Sequence, residues 1–462
     1  MTIRARLALV LLAAAGMTIA AGAQSQRPPN IVVIVGDDMG YADIGVHGSR
    51  DIRTPHLDAL AAEGVRFTDA YVSGPYCSPT RAGMLTGRYP QRFGHEFNLG
   101  AAHAEFGLPL EETTIADRLK AAGYRTALFG KWHLGMGEKY HPVRRGFEQF
   151  FGFLAGQHTY IDIGTGANLL LEGTTPLEKF DGYLTDALAE RASAYIKEQS
   201  SRPFFLYLAF NAAHTPLQAP KKYLDRFPKI QNEQRRTYAA MVSAMDDGVG
   251  KVLSTLRELG LDRNTLVIFF NDNGGPTMET TTINASSNAP LRGSKRTTWE
   301  GGIRVPFMIR WTGRVPAGGI DRRPIIQLDV LPTALAAAGV KAGNTPPLDG
   351  VDLLPFLTGA AKGAPHDTLY WRLGGMMAIR HGDWKLVKSR EGAFIDDDPA
   401  VLKDLAGAEL FNLAQDIGES KNVAAAHPDK VKELGDRWQQ WNKQLATPRW
   451  GAPRGGRGGQ PR

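Results

Sequence analysis

Four short runs rich in β-branched and aromatic residues each break off into ionisable or metal-binding side chains, and they narrow the fold more than any other feature. Residues 31–35 lead into Gly36-Asp37-Asp38, and residues 124–129 into Gly130-Lys131-Trp132-His133. Residues 204–210 lead into Asn211 through His214, and residues 266–270 into Asn271-Asp272-Asn273-Gly274. Helical patterns alternate with them: residues 55–63 begin at a Pro and close at Gly64, and residues 183–199 and 237–259 carry longer helical periods. Continuous apolar strands alternating with helices predict an α/β fold, a large mixed but mostly parallel sheet flanked by helices. In such open sheets the ligand crevice lies beyond the carboxyl ends of the strands, so the four polar clusters are predicted to converge there.

Residues 305–311 and 325–328 read as further strands, and the α/β unit is expected to span 28–362. Beyond it, strand-like runs at 368–373, 376–381 and 384–387 and a helical stretch at 430–445 predict a small antiparallel sheet with one helix, residues 363–448. Residues 449–462, rich in Gly, Arg and Pro, are too poor in apolar groups to fold and are expected to be a flexible tail.

The formal net charge of +7 changes meaning once it is located. Arg4 and Arg6 near the start and Arg449, Arg454, Arg457 and Arg462 near the end supply six of those charges, leaving the body at +1. A nucleic-acid binder needs a basic stripe on its folded surface, so nucleic acid is not expected as a partner. The two early arginines precede an apolar stretch at 7–21 and the small-x-small site Ala21-Gly22-Ala23, which predicts a cleaved signal peptide over 1–23 and an exported protein, periplasmic or secreted. That stretch is shorter than the ~20 residues a spanning helix needs, so stable membrane insertion is not expected.

Cys77 is the only cysteine, which rules out a disulfide within the chain. An unpaired thiol in an exported protein is either a buried small hydrophobe or a chemically used group. Asp37, Asp38, Asp272 and Asn273 offer oxygen ligands alone, the donor type that suits calcium, or magnesium second, over zinc. Either pair taken singly also fits a turn or a helix cap; two pairs at two strand ends favour a metal.

The stretch Pro75-Tyr76-Cys77-Ser78-Pro79-Thr80-Arg81, continuing to Thr86-Gly87-Arg88, resembles the signature of the type I sulfatases of the alkaline-phosphatase superfamily, whose core is C-x-P-x-R. The resemblance extends to Gly36-Asp37-Asp38, to residues 130–135, to Asn271-Asp272-Asn273-Gly274, to Gly293-Ser294-Lys295 with Trp299-Glu300-Gly301-Gly302, and to Leu410-Phe411-Asn412-Leu413. It implies an alkaline-phosphatase-like fold and a sulfuric ester hydrolase, with Cys77 oxidised to Cα-formylglycine by a formylglycine-generating or anaerobic sulfatase-maturating enzyme. It also implies a metal held by Asp37, Asp38, residue 77, Asp272 and Asn273, with Arg81, Lys131 and Lys295 holding sulfate oxygens and nucleophile. In the implied chemistry the hydrated aldehyde attacks sulfur with help from Asp272, and His214, with Lys295, protonates the leaving oxygen. His133 then deprotonates the second hydroxyl to expel sulfate from a covalent hemiester. A sulfated carbohydrate is the expected substrate. His95, Glu96, Asn98, His158 and the loop at 278–288 are expected to border the pocket. Two rivals remain at this point: a phosphomonoesterase or phosphodiesterase on the same scaffold, and a non-catalytic sulfated-glycan binder with Cys77 unconverted.

Overall fold

The computed structural model describes residues 27–279, 283–343, 346–390 and 398–451. The predicted signal peptide therefore lies outside the described residues, as does most of the predicted tail. In chain order the first strands are β1 (Asn30–Gly36), β2 (Val65–Phe67), β3 (Ala70–Tyr71), β4 (Arg125–Lys131), β5 (Gln149–Phe153) and β6 (Leu171–Glu172). They are followed by β7 (Thr175–Pro176), β8 (Phe204–Ala209), β9 (Thr265–Asn271), β10 (Phe307–Arg310), β11 (Gly319–Asp321) and β12 (Ile325–Ile326). Ten of these make one sheet in the order β11-β2-β10-β9-β1-β8-β4-β5-β6-β7, and β3 pairs β12 separately.

The centre of the large sheet, β9-β1-β8-β4-β5, is parallel throughout, and β10 closes one side antiparallel to β9. Every residue of β1, β8 and β9 is buried, the condition for strands covered by helices on both faces. Alternation along β1 divides the two cores. Val32 and Ile34 face the layer of the Pro55–Ala62, Leu184–Glu198 and Glu233–Glu258 helices, while Ile31, Val33 and Val35 face the layer containing Ala82, Leu119 and Val330. The Glu233–Glu258 helix begins four residues before the predicted 237 because the Asn232 side chain accepts a hydrogen bond from the Arg235 backbone at 2.9 Å, a cap that periodicity does not reveal.

Beyond the large sheet, β13 (Thr368–Leu373), β14 (Met376–His381), β15 (Trp384–Lys388) and β16 (Glu409–Asn412) form an antiparallel sheet in chain order, one strand more than the three predicted. The helix against it runs Pro428–Asn442, with Pro in its first turn, and buries Leu434, Trp438 and Trp441. Arg449 and Trp450, expected in the tail, are tied to the rest of the chain. The Arg449 backbone donates to Gly94 at 2.9 Å, and Trp450 is buried against His95 and Phe106. No helix among the described residues is long and apolar enough to cross a membrane.

A buried ionic network joins the small sheet to the Glu300–Ile303 helix, which lies between β9 and β10. Lys385 on β15 is fully buried and bridges Glu300 and Glu419, each at 2.8 Å. Burial works against the Glu300 charge, but Lys385, Arg304 and Arg380 outweigh it and hold the carboxyl at about 2. Replacing Lys385 by Met leaves two buried carboxylates facing each other without their shared cation, a loss of about 3–5 kcal/mol. Thermal unfolding of K385M is expected to show a large drop in midpoint that shrinks at lower pH, where protonating either carboxyl removes a buried charge. An unchanged midpoint at neutral pH would contradict this.

Candidate active site

The four strand-end clusters meet at one place, and the Cys77–Thr86 helix points its first residue into it. Asp37 and Asp38 follow β1, Lys131 ends β4 with His133 just beyond, His214 lies in the turn after β8, and Asp272 and Asn273 follow β9. Lys295 comes from the long connection between β9 and β10. At Gly130, with φ of 113°, a Cβ would sit 1.9 Å from the Ala209 carbonyl oxygen, so only glycine lets β4 and β8 approach this closely beneath the site. Asp38 and His133 both adopt φ of 58°, the left-handed region that Asp and His tolerate better than most residues.

Cys77 is fully buried, and its Sγ lies 3.7 Å from Asp37 Oδ1. Burial, countered only in part by Lys131 and Lys295, pushes the thiol up to about 12. Three carboxylates and three cations interlock around it. Lys131 Nζ donates to Asp37 Oδ2 at 2.5 Å, and Lys295 Nζ lies 2.7 Å from Asp38 Oδ1. Arg81 donates to Asp272 Oδ2 through Nε at 3.0 Å and Nη2 at 2.8 Å, and through Nη1 to the Lys131 carbonyl and the Tyr207 hydroxyl. Burial disfavours the Asp38 charge, yet Lys295, His214 and Lys131 overcome it and hold that carboxyl at about 2. Burial, reinforced by Asp37, raises Asp272.

The two histidines are held differently. His133 Nε2 lies 3.0 Å from the Leu99 carbonyl, so that nitrogen carries the proton, and buried Nδ1 is left with its lone pair unbonded. Burial, then Lys131, push its pKa well below the ordinary imidazole value. His214 Nδ1 binds the Thr215 carbonyl at 2.7 Å, which turns Nε2 to within 3.4 Å of Asp38 Oδ2. Burial brings this ring down to about 4 despite Asp38.

These residues fit a hard divalent cation. Ligand atoms of Asp37, Asp38, Cys77 and Asp272 all lie within 4.8 Å of one another. Asp272 Oδ1 and Asn273 Oδ1 are buried without any hydrogen-bond partner, an arrangement that costs free energy unless a cation or a proton completes it. Asn273 Nδ2, by contrast, is occupied, donating to Asp38 Oδ1 at 2.7 Å, which leaves its oxygen turned to the site.

The predicted pocket border is corrected in part. Glu96 is a buried junction residue: its carboxylate takes Nε and Nη2 of Arg372 and the Gly374 backbone. Asn98 accepts from the Ser78 backbone at 2.9 Å, capping the helix that carries Cys77, and His95 lies 2.6 Å from Ser78 Oγ behind it. His158 packs on Phe153 and binds the Thr159 carbonyl. Of the loop at 278–288, residues 280–282 lie outside the described residues. Asn284, which sequence reading did not single out, ties that loop to the Asp38 and Ala213 carbonyls at 2.8 and 2.9 Å. Tyr207 was also missed; the alternation of β8, which turns Phe205, Tyr207 and Ala209 to one face, was the signal for it.

The family model described as Sulfatase matches residues 29–340. The chain belongs to the sulfatase family. It is a sulfuric ester hydrolase of the alkaline-phosphatase superfamily. Arylsulfatase A of Homo sapiens is 35% identical over 465 residues, covering 90% of this chain and 88% of that protein. N-acetylgalactosamine-6-sulfatase of Canis lupus familiaris is 36% identical over 398 residues, covering 82% of this chain and 74% of that protein. Among solved structures, Ps i-CgsB superposes with a TM-score of 0.83 at 36% identity, covering 92% of this chain and 95% of that one. That protein has also been solved in complex with k-i-k-neocarrahexaose.

Proposed function

We propose that this sulfatase is exported and removes sulfate from sulfated carbohydrates, using residue 77 after its conversion to Cα-formylglycine by a formylglycine-generating or anaerobic sulfatase-maturating enzyme. The convergence of Arg81, Lys131 and Lys295 with Asp37, Asp38 and Asp272 around buried Cys77 carries this reading. A hydrated formylglycine supplies one hydroxyl to attack sulfur and a geminal hydroxyl through which the resulting sulfate hemiester is released. A divalent cation, calcium first and magnesium second, would be held by Asp37, Asp38, residue 77, Asp272 and Asn273, and would supply Lewis-acid polarisation of the sulfate group.

The rest of the chemistry belongs to this chain's side chains. Arg81, Lys131 and Lys295 offer N–H donors fixed in place by their carboxylate partners, so they can bind sulfate oxygens without reorganising. Asp272 Oδ1, unbonded and on a carboxyl made more basic by burial, is placed to take a proton from the attacking hydroxyl. His214 Nε2 and Lys295 Nζ flank Asp38 and are the groups placed to protonate the leaving oxygen; a bound sulfate anion opposes the burial that keeps His214 neutral. His133, neutral with a bare Nδ1, is the base for the second hydroxyl. Sulfated sugars are favoured as substrates because one similar protein is named for N-acetylgalactosamine 6-sulfate chemistry and another holds an oligosaccharide.

The test is the mass of the tryptic peptide spanning residues 67–81 from protein made in its native host, together with sulfate release from sulfated oligosaccharides. The expected result is an aldehyde in place of the thiol and release of inorganic sulfate. An intact thiol in protein that still turns over would overturn the mechanism; an aldehyde-bearing protein that cleaves no sulfated sugar would overturn the substrate class.

A further inference from the structure

One short loop, residues 95–99, reaches both His133 and the residue after Cys77. The Asn98 side chain accepts from the Ser78 backbone at 2.9 Å, and the Leu99 carbonyl lies 3.0 Å from His133 Nε2. His95 supplies a third contact. Its Nε2 lies 2.6 Å from Ser78 Oγ, and that same oxygen lies 2.6 Å from the His133 carbonyl. A carbonyl oxygen only accepts, so the Ser78 hydroxyl donates to His133 and accepts from His95, whose Nε2 therefore carries the proton. Burial, then Arg449, bring the His95 ring down to about 3, so it is neutral, and its buried Nδ1 is bare. His95, Ser78, Cys77 and His133 are all buried, where these bonds cannot be exchanged for bonds to bulk water.

This chain of hydrogen bonds ends on a backbone that needs holding. His133 stands at φ of 58°, and a non-glycine residue persists there only where its surroundings over-determine it. Its N–H donates to the Leu154 carbonyl at 3.1 Å, and its own carbonyl is taken by Ser78. At the ring, a Cβ on Gly156 would come within 2.6 Å of Cε1 and Nε2, which leaves the imidazole little room to swing. Ser78 directly follows residue 77 in the Cys77–Thr86 helix, so its hydroxyl fixes His133 relative to the nucleophile itself. The loop is anchored in turn by Trp450, whose Nε1 donates to the Phe97 carbonyl at 3.1 Å and whose ring centroid lies 4.7 Å from that of His95. We propose that His95 and Ser78 are positioning residues for sulfate release, holding His133 in register with residue 77. The inference rests on the sulfatase reading above and assigns the two residues to its second step. In that step the proton of the second hydroxyl passes to His133 Nδ1, the carbon–oxygen bond to sulfate breaks with its electron pair leaving on sulfate, and the formylglycine carbonyl re-forms. Asp272, His214 and Lys295 serve the earlier attack, so a fault in the His95–Ser78 contact falls on release.

The test uses protein shown by mass to carry formylglycine at residue 77, with 4-nitrophenyl sulfate and sulfated oligosaccharides as substrates. In S78A release is expected to slow by about ten- to hundredfold, the scale of a misplacement near 1 Å. 4-Nitrophenol should then appear in a burst equal to the enzyme present, kcat should fall by that factor, and kcat/KM should stay within about twofold of wild type. Residue 77 should carry a sulfo group during turnover on either substrate. H95F, which keeps a ring but loses the donor, is expected to show the same pattern to a smaller degree. H95Q, whose amide can donate to the same hydroxyl, should recover most of kcat. The S78A/H95F double variant should be no slower than S78A, because both changes act through one hydroxyl. An unchanged kcat in S78A, or kcat and kcat/KM falling together with no sulfo group on residue 77, would overturn the proposal. H133A is the reference that separates the failures: if it also accumulates no sulfo group, His133 is not the base for release. Wild type that liberates sulfate from none of these compounds refutes the sulfatase reading itself.

Discussion

Replacing Cys77 by alanine is expected to abolish sulfate release and leave the fold intact. The side chain is fully buried at the first position of the Cys77–Thr86 helix, where its sulfur makes one long contact to Asp37, and alanine is a better helix former of nearly the same volume. Loss of the sulfur should cost about 1 kcal/mol or less in stability. The catalytic loss is of another order: deleting the nucleophile of a concerted site removes a factor of at least about 10⁴ from kcat, since the remaining groups act on nothing. Cys77→Ser separates attack from release. A serine hydroxyl can accept the sulfo group but has no geminal hydroxyl to expel it, so C77S should turn over once at most and gain the mass of a sulfo group on residue 77. Sulfate release, melting temperature and intact mass together check this. An alanine variant that retained turnover within about tenfold of wild type would remove residue 77 from the mechanism altogether.

Much of this site can be read before folding because of where the polar residues fall. A strand buried on both faces stays apolar along its whole length, so Asp37 after β1, Lys131 and His133 at the end of β4, His214 after β8 and Asp272 after β9 mark where the chain leaves the sheet. Parallel strands then bring all those ends to one edge. Cys77 and Arg81 follow no such rule; they lie on a helix, and only the C-x-P-x-R spacing distinguishes them. Asn284 was not legible, because it acts through a hydrogen bond to Asp38, far away in sequence; the alternation of β8 gives the face on which Tyr207 lies but not its hydrogen bond to Arg81. Glu96 was misplaced for a related reason. A carboxylate in a glycine-flanked loop looks solvent-exposed, and nothing local shows that Arg372 will arrive from β13 to bury it. The fourth strand of the small sheet, β16, stands apart from the other three in sequence, so hairpin spacing gave no sign of it.

Stripping divalent cations is expected to silence the enzyme without unfolding it. Asp37, Asp38 and Asp272 are balanced by Arg81, Lys131 and Lys295, so the cluster is neutral without an ion and the ion-free protein should hold its fold. A bound divalent ion makes the cluster doubly positive, which is the charge needed to hold a sulfate monoester anion against a deprotonated nucleophile. It would also complete the unpartnered Oδ1 atoms of Asp272 and Asn273. Dialysis against a chelator should therefore remove activity, and calcium should restore it more fully than magnesium. An ion present at a hundred times its dissociation constant stabilises the native state by about 2.7 kcal/mol, so the melting temperature should fall by a few degrees and recover with the activity. Asn273→Ala is the cleaner variant for the same question. Asp38→Ala would strand the buried ammonium of Lys295 at a cost of about 3–5 kcal/mol, whereas N273A removes a neutral ligand and should shift the calcium requirement to higher concentration. Full activity in protein shown by elemental analysis to be free of metal would exclude an ion from this site.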